Sequence, residues 1–255
     1  MRFVLIHGGF HGAWCWSRTI PELDRLGYEA IAIDLPGHGK RRDDESSFAS
    51  RLAAMLDVIQ PDDVLVGHSG GGFDITRAFD AASDRVAHLV YLAAALPLEG
   101  RSQSDAIAHR SDERVSHTQA MEDATGMIKY LRFDDDGSMA FADFRGAWDL
   151  FYNDCDEDTA RWAFDRLTPA RTTEVATTPV SVPRFWDAQP SRSFIRCLQD
   201  NAQPRWLIDR IVERLGVEPL TIDTSHSPFL SKPRELAELV VHATTTAPVG
   251  PLRPD

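Results

Sequence analysis

Apolar residues come along this chain in short runs, and amphipathic stretches separate them. Phe3 to Ile6, Ala30 to Ile33 and Val64 to Val66 are brief and wholly apolar. Such runs suit strands buried on both faces. Val86 to Ala95 contains a fourth, with Pro97 beyond it. Helical patterns lie between. Ile20 to Leu26 reads as a helix closed by Gly27. Phe48 to Ile59 repeats apolar residues at Leu52, Met55, Leu56 and Ile59, and Phe73 to Phe79 is helix-like. Strand and helix in alternation predict an α/β fold, with a mostly parallel sheet flanked by helices.

The pattern breaks between Pro97 and Pro190. This stretch has few strand signals, many charges and much of the aromatic content. Asp156 to Leu167 reads as an amphipathic helix, with Ala160, Ala163, Phe164 and Leu167 on one face and Pro169 after it. Alternation then resumes. Phe194 to Leu198 is strand-like, Trp206 to Leu215 helical, Leu220 to Ile222 a short strand and Glu235 to Ala243 a last helix. The expected organisation is a core of residues 1–96 and 191–243 and an inserted helical cap over 97–190. The Thr- and Pro-rich tail, 244–255, is expected to be disordered.

Composition narrows the partners. A net charge of -12 over 255 residues argues against nucleic acid or an anionic membrane surface. Cys15, Cys155 and Cys197 have no paired spacing, which points to reduced thiols and no metal site. A strand follows Met1 directly, and no apolar run approaches membrane-spanning length. A cytoplasmic location is expected; a homodimer is left open.

The chemistry concentrates where the third strand ends, in Gly67-His-Ser69-Gly70-Gly71-Gly72. Strand, G-x-S-x-G and helix in that order make a nucleophile elbow, a sharp turn that lifts a serine hydroxyl above the sheet. The spacing fits neither common phosphate-binding glycine loop. A serine hydroxyl is a weak nucleophile and needs a base, and the base needs a carboxylate to orient it. In this architecture the chain order is Ser, acid, His. Of nine histidines, His7 and His11 lie in the first loop and His68 inside the elbow. His38, His88, His109, His117 and His242 fall in a turn, a strand edge, the insert or the last helix. Only His226 follows the final strand, so it is the expected base. Asp200 follows the strand before it, at the sheet edge where such sites collect, and is the expected acid. Asp209 belongs to a helix pattern, Asp223 reads as a turn residue, and Asp34 comes too early in the chain.

Two backbone donors must meet the developing oxyanion. Gly70 N–H follows the nucleophile. Gly9 N–H, in the His7-Gly8-Gly9-Phe10 loop, is the expected second donor. Phe10 and the insert's aromatics Phe144, Trp148, Phe151, Tyr152 and Trp186 are candidates to line a substrate pocket. They are equally suited to form the insert's own core.

Phe3-Val-Leu-Ile-His-Gly-Gly-Phe-His-Gly-Ala-Trp-Cys-Trp16 resembles the opening of the plant methylesterase and hydroxynitrile lyase branch of the α/β-hydrolases. The resemblance extends to the elbow, the Asp200 region and His226, and covers the insert only loosely. His226-Ser-Pro-Phe229 and Phe151-Tyr-Asn-Asp-Cys155 are more similar to bacterial esterases of the pyrethroid-hydrolase type. The resemblance implies a Ser69–Asp200–His226 triad and a Gly9/Gly70 oxyanion hole. The expected reaction is hydrolysis of a small to medium apolar carboxylic ester, with no cofactor. The resemblance also separates two reactions. The lyases carry threonine where Gly8 stands, and lysine, which handles the departing cyanide, where Ser227 stands. Both positions here are of the esterase kind. Hydrolysis of lactones or carbon–carbon bonds, and ligand reception on the same fold, stay as alternatives.

Overall fold

The computed structural model describes residues 1–102, 126–135, 137–170, 174 and 177–254. In chain order the regular elements are β1 (Arg2–Ile6), α1 (Ile20–Arg25), β2 (Glu29–Ile33), α2 (Phe48–Leu56), β3 (Asp63–His68), α3 (Gly71–Ala81) and β4 (Val86–Leu92). The insert contributes β5 (Leu131–Phe133), β6 (Met139–Phe141), α4 (Phe144–Phe151), α5 (Glu157–Phe164) and α6 (Pro183–Ala188). The chain returns through β7 (Arg192–Cys197), α7 (Arg205–Leu215), β8 (Leu220–Ile222), α8 (Pro228–Ser231) and α9 (Pro233–Ala243).

One six-stranded sheet runs in the order β2-β1-β3-β4-β7-β8, and every pairing in it is parallel. The chain first steps from β1 outward to β2, then returns past β1 to β3 and proceeds the other way. That reversal leaves the loops after β1 and β3 side by side at the carboxyl edge, where ligands collect in such sheets. Register aligns them, with Ile6 opposite Gly67.

Side chains alternate across the strands, so each strand feeds two cores. On one face Phe3, Leu5, Val64, Val66, Val90 and Ile195 pack with Trp16, Leu23, Leu236 and Val240. On the other Val4, Ile6, Leu65, Leu89, Tyr91 and Phe194 pack with Met55, Ile75, Phe185, Ile208 and Leu215. This two-sided burial explains the unbroken apolar runs.

Three parts differ from the sequence expectation. The insert holds an antiparallel β5–β6 hairpin, whose three-residue strands are too short to leave a periodic signal. Its final part does not cover the sheet's carboxyl edge. Phe185 and Trp186 of α6 pack in the core beneath α3, with Phe185 N–H on Asp80 Oδ1 at 3.0 Å and Trp186 Nε1–H on Glu99 Oε2 at 2.7 Å. The tail is packed rather than loose. Leu252 is buried, its N–H donates to Gln189 Oε1, and Gly250 C=O accepts from Arg192. These partners lie far away in sequence, so local composition could not reveal them. His109 and His117 lie outside the described residues.

One buried ion pair ties α2 to α3 on the elbow side. Arg51 Nε and Nη2 donate to Asp74 Oδ1 and Oδ2 at 3.0 and 2.6 Å, a bidentate fork. Removing one partner would strand the other charge away from water. Asp74→Ala is therefore expected to cost about 3–5 kcal/mol, read as a fall in the urea midpoint. A loss under about 1 kcal/mol would show that Arg51 finds another partner.

Candidate active site

Ser69 sits at the top of β3 with φ +52, in the left-handed region that residues with a Cβ seldom adopt. Backbone bonds on both sides hold it there. Its N–H donates to Leu92 C=O at 3.1 Å, and its C=O accepts from Gly72 N–H at 3.1 Å and Ala95 N–H at 2.9 Å. Gly72 has to be glycine, because a Cβ there would lie 2.0 Å from Ala95 O. Helix α3 thus starts hard against the β4 loop, with its first turn next to Ser69.

The acid–base pair comes from the two far strands. His226, after β8, places Nδ1 2.7 Å from Asp200 Oδ2, after β7. A carboxylate only accepts, so Nδ1 carries the hydrogen and Nε2 is left as the basic nitrogen. The second Asp200 oxygen accepts from Ala202 N–H at 2.7 Å and Gln203 N–H at 3.1 Å. Asp200 is therefore fixed at both oxygens before it meets the imidazole. Phe151 stacks on the His226 ring, with centroids 5.2 Å apart. The other aspartates are occupied elsewhere. Asp223 accepts from Gln199, Asp209 pairs with Arg196 at the surface, and Asp34 accepts from Ala13 N–H and Lys40 N–H.

The first loop closes against the elbow. A Cβ on Gly8 would lie 2.6 Å from Ser69 Cβ, and one on Gly70 would lie 3.7 Å from Gly9 N. The two expected oxyanion donors are thus neighbours beside Ser69. His7 fixes the direction of one. Leu35 N–H donates to His7 Nε2 at 3.1 Å, so Nδ1 bears the hydrogen and donates to Gly8 C=O at 2.8 Å. A trans peptide is planar, so holding Gly8 C=O one way aims Gly9 N–H the opposite way.

A cavity of about 220 Å³ opens at this point. Gly9, Phe10, Ser69 and Gly70 line it. Trp148, Tyr152 and Trp186 do not. Trp148 packs on Phe144, Tyr152 is fully buried with its hydroxyl on His11, and Trp186 lies in the core beneath α3. Much of the wall comes from α7, through Trp206, Leu207 and Ile211, none of which stood out in the sequence as a pocket residue. The apolar period of α7 read simply as the covering face of a helix; only the position of Trp206, soon after Asp200, was a hint. Phe73, Leu96, Met127 and Phe151 add to the apolar lining. Arg214, also at the wall, donates to Pro97 C=O and Pro254 C=O.

The chain belongs to the alpha/beta hydrolase family, whose profile matches residues 3–239. Among its relatives is norfluorocurarine synthase 2 of Strychnos sp, 28% identical over 258 residues, spanning 95% of this chain and 94% of that protein. The chloroplastic methylesterase 15 of Arabidopsis thaliana, itself a provisional assignment, is 27% identical over 261 residues; the match spans 97% of this chain but 57% of that protein. A pyrethroid hydrolase structure from Sphingobium faniae superposes with a TM-score of 0.80 at 21% identity, covering 96% of this chain and 97% of that one.

Four buried histidines surround the site uncharged. Burial pushes His7 and His68 well below the usual imidazole value, His11 to about 3 and His38 to about 4. In the unfolded chain each titrates near 6.5. Below that pH the unfolded state takes up protons that the folded state refuses. Stability from these groups is complete above about pH 6.5 and declines as pH falls, by up to about 1.4 kcal/mol per pH unit for each histidine. The urea midpoint is expected to drop steadily from pH 7 to pH 5. A midpoint that stays level over that span would contradict the buried, neutral state of this cluster.

Proposed function

We propose that the chain is a serine esterase that cleaves a small to medium apolar carboxylic ester through an acyl-enzyme. The observation that carries this reading is the buried 2.7 Å contact from His226 to Asp200, in a chain whose elbow serine is held in the left-handed conformation. Ser69 Oγ attacks the ester carbonyl. His226 Nε2 takes its proton and returns it to the leaving alcohol. Asp200 keeps the imidazole in the Nδ1–H form and stabilises it when charged. Gly9 and Gly70 N–H groups hold the tetrahedral oxyanion. A water, activated by the same imidazole, then releases the acid. The reaction so written calls for no metal or cofactor. The apolar walls and modest volume favour an apolar acyl group over a sugar or a nucleotide.

Two positions separate this from cyanohydrin cleavage. A threonine at position 8 would force Ser69 aside, since even one carbon there comes within 2.6 Å of it. A lysine at position 227 would have to sit where Ser227 is fully buried. No lysine at position 227 then meets a departing cyanide. In wild type at one pH, p-nitrophenyl ester turnover is expected to exceed cyanide release from mandelonitrile by at least about 100-fold, or about 2.7 kcal/mol in transition-state terms. Cyanide release equal to ester turnover would make the lyase reading the better one.

A fluorophosphonate probe should add its mass to the peptide that contains Ser69. Asp200→Asn should remain folded yet lose about 10⁴ in kcat, as other triads do when the imidazole takes the wrong tautomer. A probe that labels another residue, or an Asp200→Asn protein with near wild-type turnover beside an inactive Asp223→Asn, would refute the residue assignments.

A further inference from the structure

The oxyanion loop is strained, and the insert holds the strain. Phe10, next to the expected donor Gly9, has φ +65. Such a conformation costs on the order of 1 kcal/mol or more in a residue with a Cβ and persists only where neighbours enforce it. Hydrogen bonds grip it on both sides. His11 Nδ1 lies 3.0 Å from Gly9 O, and Thr168 N–H donates to Phe10 C=O at 2.8 Å. The Phe10 ring rests against Phe141 and Phe151. Thr168, Phe141 and Phe151 all belong to the insert.

The His11 contact has a second half. A carbonyl accepts only, so His11 Nδ1 carries the hydrogen toward Gly9 O and Nε2 must accept. Tyr152 O–H meets that nitrogen at 2.9 Å. Tyr152, at the end of α4, is fully buried and is not part of the cavity lining. Burial holds the phenol protonated and the imidazole neutral, the two states this donor–acceptor order requires. Without the tyrosine hydroxyl, His11 can rotate or adopt the other tautomer, and the grip on Gly9 C=O is lost. The Gly8–Gly9 peptide is fixed by His7, and the Gly9–Phe10 peptide by His11. Only together do they set both torsions of Gly9.

We propose that Tyr152 is a positioning residue: it orders the oxyanion loop through His11, so the inserted segment is needed to form the oxyanion hole as well as to wall the cavity. This rests on the esterase reading for its chemistry. Tyr152 touches no reacting atom, so its effect belongs to the transition state and not to substrate binding.

The test is Tyr152→Phe, which removes one oxygen. Deleting an oxyanion donor outright costs about 10²–10³ in kcat, and misdirecting one is expected to cost about tenfold. KM should stay within about twofold, because ground-state binding does not use the hole. The inhibition constant of a trifluoromethyl ketone, which mimics the tetrahedral intermediate, should weaken by the same factor as kcat. His11→Asn keeps a short donor on the Gly9 side but cannot reach Tyr152. It should fall at least as far, and adding Tyr152→Phe to it should cost nothing more. A Tyr152→Phe protein that melts earlier but keeps kcat and ketone affinity within about twofold would make the contact merely structural and overturn the proposal. Fully additive losses in the double variant would do the same. The rate of fluorophosphonate labelling at Ser69 supplies a readout independent of the ester. Slower labelling in Tyr152→Phe, from a wild type that cleaves no ester, would refute the esterase reading and leave the relay standing. Normal labelling and normal ester turnover in Tyr152→Phe would refute the relay and leave the esterase reading intact.

Discussion

Everything at the carboxyl edge depends on one close approach, that of the loop after β1 to the turn after β3. The sheet order brings β1 and β3 together, and a 2.6 Å limit at Gly8 shows how little room is left between loop and elbow. Two backbone segments this close can present N–H groups to one small volume, which a pair of side chains does less rigidly. The cost is conformational. Ser69 and Phe10, one on each segment, are both held in the left-handed region. Hydrogen bonds from β4, the insert and two histidines keep them there. Stored strain of this kind is a usual companion of preorganised sites.

Histidine serves here in two ways. His226 is paired with the Asp200 carboxylate. His7, His11 and His68 are buried without a negative partner and act as neutral connectors. Each donates to a main-chain carbonyl: Gly8, Gly9 and His226 respectively. In a site of low dielectric an imidazole can fix a peptide this way without bringing a charge. The distinction is one of environment, since all four share the same side chain.

The insert adds less covering and more bracing than its composition suggested. Its aromatics divide. Phe151 faces both the cavity and the His226 ring, Tyr152 reaches back to the first loop, and Trp186 fills the core beneath α3. Neighbouring positions, 151 and 152, take different roles at the end of α4: Phe151 lines the cavity, while Tyr152 puts its hydroxyl on His11. No periodicity in the sequence carries that information.

The α/β alternation and the strands were legible in the chain, and Ser69, Asp200 and His226 could be named from it as candidates. Each rests on local rules: two-sided burial makes apolar runs, a strained turn needs small neighbours, and the fold fixes which strand ends precede which. Asp200 was singled out because it comes soon after the strand that precedes the last one, while Asp223 read as a turn residue; the structure puts Asp200 2.7 Å from His226. What the sequence could not give was direction. Whether Tyr152 lined the cavity or held His11, whether Trp186 covered the site or the opposite core, and whether the tail lay loose or against Arg192 were decided by contacts between residues about 60 to 140 positions apart. Such contacts form only once the sheet order is complete, because burial and geometry, not residue type, select which way an aromatic or a histidine faces.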